Sequence, residues 1–302
     1  MKQITANVHV EDQWSVPPNC RGSNWGFLVT SNGVVMLDSP MVPRTAVKWR
    51  AEIAKRGDVR YVINTHHHVD HVTGNFFFAG PVVAHEKARE AFFAPIAAVA
   101  GSERVEEAEK IGQGTMGYIR LLVGEHDPES LPLLDDEKYQ VKVPTITFSE
   151  KLHLYVGDHE VELIHLPGHT DGQIGIYITR EKVFCSGDNF CNGTQPSLAH
   201  SVPLEWVQSL KRIEAMEIDV VIPGHGEICD LSEVTRFRQF IETCIEMTRE
   251  AIRQGKSKEE AGGTISFEGL YPAEKCRAAV HPGLAMQRRN VTRVYEMILK
   301  AG

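Results

Sequence analysis

The chain has 302 residues, 42% of them hydrophobic and 24% charged, with a formal net charge of −8 at pH 7. That is the mix of a soluble globular protein of one to two domains, able to bury a large core. The acidic balance, with no Lys/Arg run longer than two residues, speaks against nucleic acid or an anionic membrane as the main partner, and no apolar stretch approaches the roughly 18 residues that span a bilayer.

Met1 to Trp14 is polar and mixed, so no signal peptide is expected and a cytoplasmic location is the expectation. The six cysteines (Cys20, Cys185, Cys191, Cys229, Cys244, Cys276) form no C-x-x-C pair and read as reduced thiols. Gly26 to Thr30 and Val34 to Leu37 flank Ser31-Asn32-Gly33, which predicts a hairpin. Pro43 to Lys55 reads as an amphipathic helix with proline in its first turn. Tyr61 to Asn64 and Val82 to Ala84 are short apolar strands, and Glu86 to Phe93 reads as helix. Residues 94–138 carry helical stretches broken by Gly and Pro, an inserted excursion that would form a lid or a dimer contact. Strands return at Thr145–Phe148, Leu152–Val156, Val161–Leu166, Ile174–Ile178 and Val183–Cys185. Leu204 to Met216 is a helix and Asp219 to Ile222 a buried strand. From Leu231 onward the reading is helical, with Val234–Gln254 and Met286–Lys300 as the long pieces. Mixed elements in this order predict an α/β sandwich over residues 1–230 with a helical extension, 231–302, packed on it.

Five of these strands finish on a carboxylate or an imidazole: Asp38, His66, His169, Asp188 and His225. Three do so just after a glycine, which lets the chain turn sharply and bring backbone close to a ligand. Strand ends of one sheet layer can converge on a point, and strands hold ligands more rigidly than free loops. Imidazole and carboxylate suit zinc, and also manganese or iron. In an extended His66-His67-His68, the first and third side chains share one side, so both can reach one ion while His67 points away. Asp70 and His71 follow at the next turn and can reach a second ion. His169 would complete the first site, His225 the second, and Asp188 could bridge them.

The order His66-x-His68-x-Asp70-His71, then His169, Asp188 and His225, led by Asp38, resembles the metallo-β-lactamase superfamily over roughly residues 23–230. The resemblance implies an αββα sandwich with two divalent ions, zinc foremost, at one edge between two sheets. All seven ligands are kept, as in the hydroxyacylglutathione hydrolase and lactonase branch; the true β-lactamases lack the bridging aspartate. The expected chemistry is attack by a hydroxide shared between the ions on an ester, lactone, thioester or cyclic amide of a small molecule. Asp70 is the expected catalytic residue, orienting the nucleophile and relaying its proton. Asp38 is expected to accept an N–H from a ligand imidazole and fix its tautomer. Trp25, Phe190, Asn192 and Tyr118 are candidates for lining the substrate pocket, with Phe92, Phe93, Tyr271, Arg288 and Arg289 as further ones. His85 and His165 are expected in core or surface roles. The competing readings are an iron-dependent redox enzyme on the same scaffold, a phosphodiesterase, and a non-catalytic binding module.

Overall fold

The structure is a computed structural model that describes residues 1–12, 22–94, 102–112, 114–267, 269–271 and 284–301; Cys20 and Cys276 lie outside these. The first sheet runs β1 (Lys2–Gln3), β2 (Val8–Glu11), β3 (Trp25–Thr30), β4 (Gly33–Leu37), β5 (Val59–Ile63), β6 (Val82–His85) and β7 (Ile146–Phe148), in that spatial order. Pairing is antiparallel up to β4 and parallel from β4 to β7. The second sheet is ordered β12 (Val220–His225), β11 (Val183–Cys191), β10 (Ile174–Ile178), β9 (His159–His165) and β8 (Lys151–Val156). Only β11 and β12 run parallel in it.

The layers follow from the two-residue period of strand side chains. In β4, Val35 and Leu37 face the second sheet, while Val34 and Met36 face outward. In β10, Ile174, Ile176 and Ile178 face the first sheet, so the middle core is built from both inner faces. The outer face of the first sheet is covered by α1 (Pro43–Ile53) and by α5 (Gly114–His126), through Ala46, Ile53, Ile119 and Val123. The outer face of the second sheet is covered by α7 (Pro203–Glu214), α8 (Leu231–Arg253) and α10 (Leu284–Ala301). There Phe184 and Ile164 meet Trp206, Phe237, Val291 and Val294. The result is helix, sheet, sheet, helix, the αββα sandwich expected.

Local signals account for the helix ends. Asp230 caps α8 by accepting from Ser232 N, and Ser257 with Glu260 forms a capping box on α9 (Lys258–Thr264). Within 94–138 the described helices are α4 (Ser102–Ile111), α5, a 3-10 turn (Pro128–Ser130) and α6 (Leu131–Leu134). They follow α2 (Val69–Val72) and α3 (Glu86–Ala91). Leu134 and Tyr139 join α1 and α5 in the outer core of the first sheet. The helices after residue 230 share one hydrophobic cluster with β9, β11 and α7.

Two strand boundaries differ from expectation in a way that matters. The strand beginning at Val183 does not stop at Cys185; it runs on to Cys191 through register shifts at Gly187. The strand beginning near Val220 continues through Pro223 and Gly224 to His225. Asp188 and His225 therefore sit on strands rather than beyond their ends. Gly187 has φ +51, and a Cβ there would overlap Thr65 and Gln173. That positive φ bulges the ladder and aims Asp188 at the first sheet. Two further features carried no sequence signal strong enough to read: the N-terminal β1 and β2, and the short α9.

Candidate metal centre

The candidate side chains gather where the two sheets open at one edge. The first sheet supplies Asp38 after β4 and the run from His66 to His71 after β5; the second supplies His169 after β9, Asp188 on β11 and His225 on β12. Convergence therefore occurs at one edge between the two sheets, as the resemblance implied, rather than within one sheet layer. His66, His68, His169 and Asp188 each offer one ligand atom, all within 4.8 Å of one another. Asp70, His71 and His225 form a second such group.

The local chain explains the two-group split. His68 is extended, with φ −66 and ψ 145, and caps the single turn of α2 that carries Asp70 and His71. His66 and His68, ahead of the turn, join the first group, and the turn carries Asp70 and His71 into the second. Asp188 touches both groups. Its Oδ1 lies 3.1 Å from His71 Nε2, and its Oδ2 lies 3.3 Å from His225 Nε2 and 3.4 Å from His169 Nε2. Asp70 Oδ2 is 3.2 Å from His225 Nε2.

The ring orientations are fixed from outside the groups. Asp38 has φ +57, a left-handed backbone that a non-glycine residue adopts under strain. Its carboxylate accepts from Thr65 N and Thr65 Oγ1, and its Oδ2 lies 2.8 Å from His71 Nδ1. With Nδ1 held by a carboxylate, the His71 Nε2 faces Asp188 and the second group. His66 Nδ1 is 3.1 Å from Thr65 Oγ1, and His225 Nδ1 is 3.1 Å from the Gly22 carbonyl. His169 is set by its backbone: its N–H donates to Asn189 Oδ1, while Asn189 Nδ2 donates to the Leu166 carbonyl. Asn24 ties the sheets together at this edge, its amide donating to the Pro223 and Gly226 carbonyls.

Among the described residues, the ion pairs of Asp38, Asp70 and Asp188 at this site are with imidazoles, not with lysine or arginine. Burial drives His66 and His68 well below the usual imidazole range, His169 to about 4 and His67 to about 3. Burial pulls His71 and His225 the same way, but Asp188 and Asp70 outweigh it. His71 ends well above the usual range and His225 at about 10. Against the opposing effect of burial, His225 and His71 in turn hold Asp188 well below the ordinary carboxylate range, and Asp70 is lowered too. His66 Nε2, His71 Nε2 and Asp188 Oδ1 are buried and make no hydrogen bond of good geometry. Buried polar atoms ordinarily find partners. Three that converge on one point, in a set of imidazoles and carboxylates, fit a pair of divalent cations.

His67 belongs to neither group. His85 and His165 stack at 3.8 Å and bond to the Ser149 and Asp171 carbonyls, a packing role away from the site. Several pocket assignments are corrected. Trp25 is buried with its ring on Trp49 in the outer core of the first sheet, because β3 turns that side outward. Phe190 is buried against Phe237, and Tyr271 packs among Phe237 and Phe240. Tyr118 packs in the helical insertion beside Ala108 and Leu121. Asn192 does lie beside the site, but its side chain donates to the Glu227 carbonyl and its N–H to the His225 carbonyl. Phe93 is exposed under Arg89, and Arg288 and Arg289 sit on α10. Sequence reasoning missed Thr65, Asn189 and His200. Thr65 and Asn189 adjoin ligands in sequence, whereas His200 sits in a Pro- and Ser-containing loop with no periodic signal.

Comparison with known proteins bears on the same residues. The model of the metallo-beta-lactamase superfamily matches residues 18–225. A linear primary-alkylsulfatase from Pseudomonas sp. is 24% identical over 249 residues, covering 73% of this chain and 43% of the alkylsulfatase. A hydroxyacylglutathione hydrolase from Pelagibacter ubique is 23% identical over 210 residues, covering 68% of each chain. This chain thus spans less than half the length of the alkylsulfatase. A metallo-beta-lactamase structure from Pontibacter korlensis superposes with a TM-score of 0.56 at 17% identity, over 80% of this chain and 97% of that one. At that identity the superposition shows a common fold. Among the described residues no helix is long and apolar enough to cross a membrane.

Proposed function

We infer the activity from the premise that the chain belongs to the metallo-beta-lactamase superfamily, whose model matches more than half of it. The reading is a hydrolase that uses two divalent metal ions on a small ester, thioester, lactone or cyclic amide. One observation carries it. The Asp188 carboxylate lies 3.1 Å from a ring nitrogen of one ligand group and 3.4 Å from a ring nitrogen of the other. A carboxylate shared in this way suits two neighbouring cations better than one.

His66, His68 and His169 would hold one ion, Asp70, His71 and His225 the other, with Asp188 common to both. Such a pair, when bound, supplies a water-derived nucleophile near neutral pH and polarises the bond to be cleaved. The chain's own groups do the rest. Asp70 is half-buried at the edge of the cluster and is the carboxylate placed to orient a water and carry its proton toward a leaving group. Asp38 keeps His71 in one tautomer. The sheet edge, pinned by Asn24, fixes the spacing of the two groups. Zinc is the metal best matched by an imidazole-rich set. A sulfate ester is the second reading, favoured by the alkylsulfatase similarity that spans 73% of this chain.

The test is a hydrolysis screen of the zinc-loaded protein over lactones, thioesters, β-lactams, alkyl sulfates and phosphodiesters. Turnover of one of the first three classes, lost on chelation and restored by zinc, is expected; turnover of alkyl sulfates alone would favour the second reading. One iron per chain with oxygen consumption would replace this reading with a redox enzyme.

A further inference from the structure

We propose that His200 is a positioning residue for His68, fixing the tautomer that turns His68 Nδ1 toward the first ligand group. The inference rests on the two-ion reading above. His68 Nδ1 lies 3.0 Å from His169 Nε2, inside the first group, while its Nε2 lies 3.2 Å from His200 Nδ1. A neutral imidazole that offers the lone pair of one nitrogen to a metal carries its proton on the other. His68 must therefore be protonated on Nε2 and donate to His200 Nδ1. His200 in turn must carry its own proton on Nε2.

Three of the other ligand rings are oriented by more familiar acceptors or donors: Asp38 for His71, the Gly22 carbonyl for His225, the Thr65 hydroxyl beside His66. Among the described residues, no carboxylate or carbonyl reaches His68 Nε2. A second imidazole does that work.

The C-terminal helix places this imidazole. Asn290 of α10 is fully buried; its Oδ1 accepts from Leu198 N at 2.8 Å and its Nδ2 donates to the Pro196 carbonyl. Arg293 Nε donates to the Ser201 carbonyl at 2.8 Å. At the far end of the loop, Val202 N donates to the Gly168 carbonyl, next to His169. Residues 196–202 are thus clamped between α10 and the His169 turn, and His200 projects from the clamp onto His68. Through one ring, the helical extension reaches the metal centre.

The test compares wild type, His200→Leu and His200→Asn, each stripped of metal and titrated with zinc against a chromophoric chelator. Wild type should take up two ions; fewer would sink the two-ion reading itself, and this inference with it. His200→Leu should lose about 10- to 100-fold in affinity for one ion and keep its affinity for the other. His200→Asn, whose Oδ1 can accept the same bond, should recover most of that loss. Uptake of both ions by His200→Leu with wild-type affinity would overturn the proposal. A second measurement uses zinc-loaded wild type alone. Long-range 1H–15N spectra should show His200 protonated on Nε2 and bare on Nδ1, and the opposite tautomer would also overturn it.

Discussion

Replacing Asp38 by Asn separates the fold from the metal centre. The substitution keeps the size of the side chain and a residue type tolerant of the left-handed φ of +57. It changes the hydrogen-bond arithmetic. Asp38 Oδ1 accepts from Thr65 N, while Oδ2 accepts from Thr65 Oγ1 and lies 2.8 Å from His71 Nδ1. Asparagine has one oxygen for these two positions. If its amide group faces Thr65 N, two donors meet and a buried N–H is left unpaired, at a cost of about 1–3 kcal/mol. If the amide group faces His71, the imidazole must accept on Nδ1 and carry its proton on Nε2, the nitrogen aimed at Asp188. The second arrangement strands no donor, because the Thr65 hydroxyl can turn to accept, and is the one expected; it should weaken metal binding about 10- to 100-fold, which is about 1.4–2.8 kcal/mol. The metal-free variant should still melt cooperatively, within a few degrees of the metal-free parent. Zinc titration with a competing chelator reads the affinity, and thermal melting reads the fold. An Asp38→Asn protein that binds zinc as tightly as the parent would refute the claim that this carboxylate sets the His71 tautomer.

Gly224→Ala should abolish tight binding of both ions, because the added Cβ would overlap Asp188 Oδ1; overpacking of this kind costs about 1–3 kcal/mol, and unchanged metal content would contradict it. Phe237→Ala should destabilise the protein by about 3–5 kcal/mol in denaturant titration, since its ring is fully buried against Phe190, Trp206 and Tyr271, while zinc affinity stays unchanged. The metal-free chain should be most stable near pH 6.5. Below that value the unfolded chain takes up protons that the buried neutral rings of His66, His67, His68 and His169 refuse, so stability falls with pH. Above it the stability from the raised His71 and His225 fades as pH climbs toward about 10. A melting temperature of the metal-free protein that rises steadily from pH 6.5 to 9 would contradict those assignments.

The layers and the ligand residues were legible in the sequence because both rest on local rules. The continuous apolar run Val34 to Leu37 marks a strand buried on both faces, and the isoleucines at 174, 176 and 178 mark a single inward face. The H-x-H-x-D-H run states its own geometry once the chain is known to pass from extended into a helical turn at His68. What stayed hidden depends on contacts distant in sequence. Trp25 and Phe190 carry the composition of pocket residues, but strand register turns Trp25 toward Trp49 and Phe190 toward Phe237. The extension of β11 past Gly187 depends on a bulge against β12 that no period predicts. His200 gains its partner only because α10, some ninety residues on, clamps its loop.

The central claim, two ions sharing Asp188, is tested most directly by anomalous X-ray diffraction from zinc-loaded crystals, collected on both sides of the zinc absorption edge. Two peaks per chain are predicted: one among His66, His68 and His169, one among Asp70, His71 and His225, with Asp188 between them. A single peak, or a peak that ignores Asp188, would contradict it.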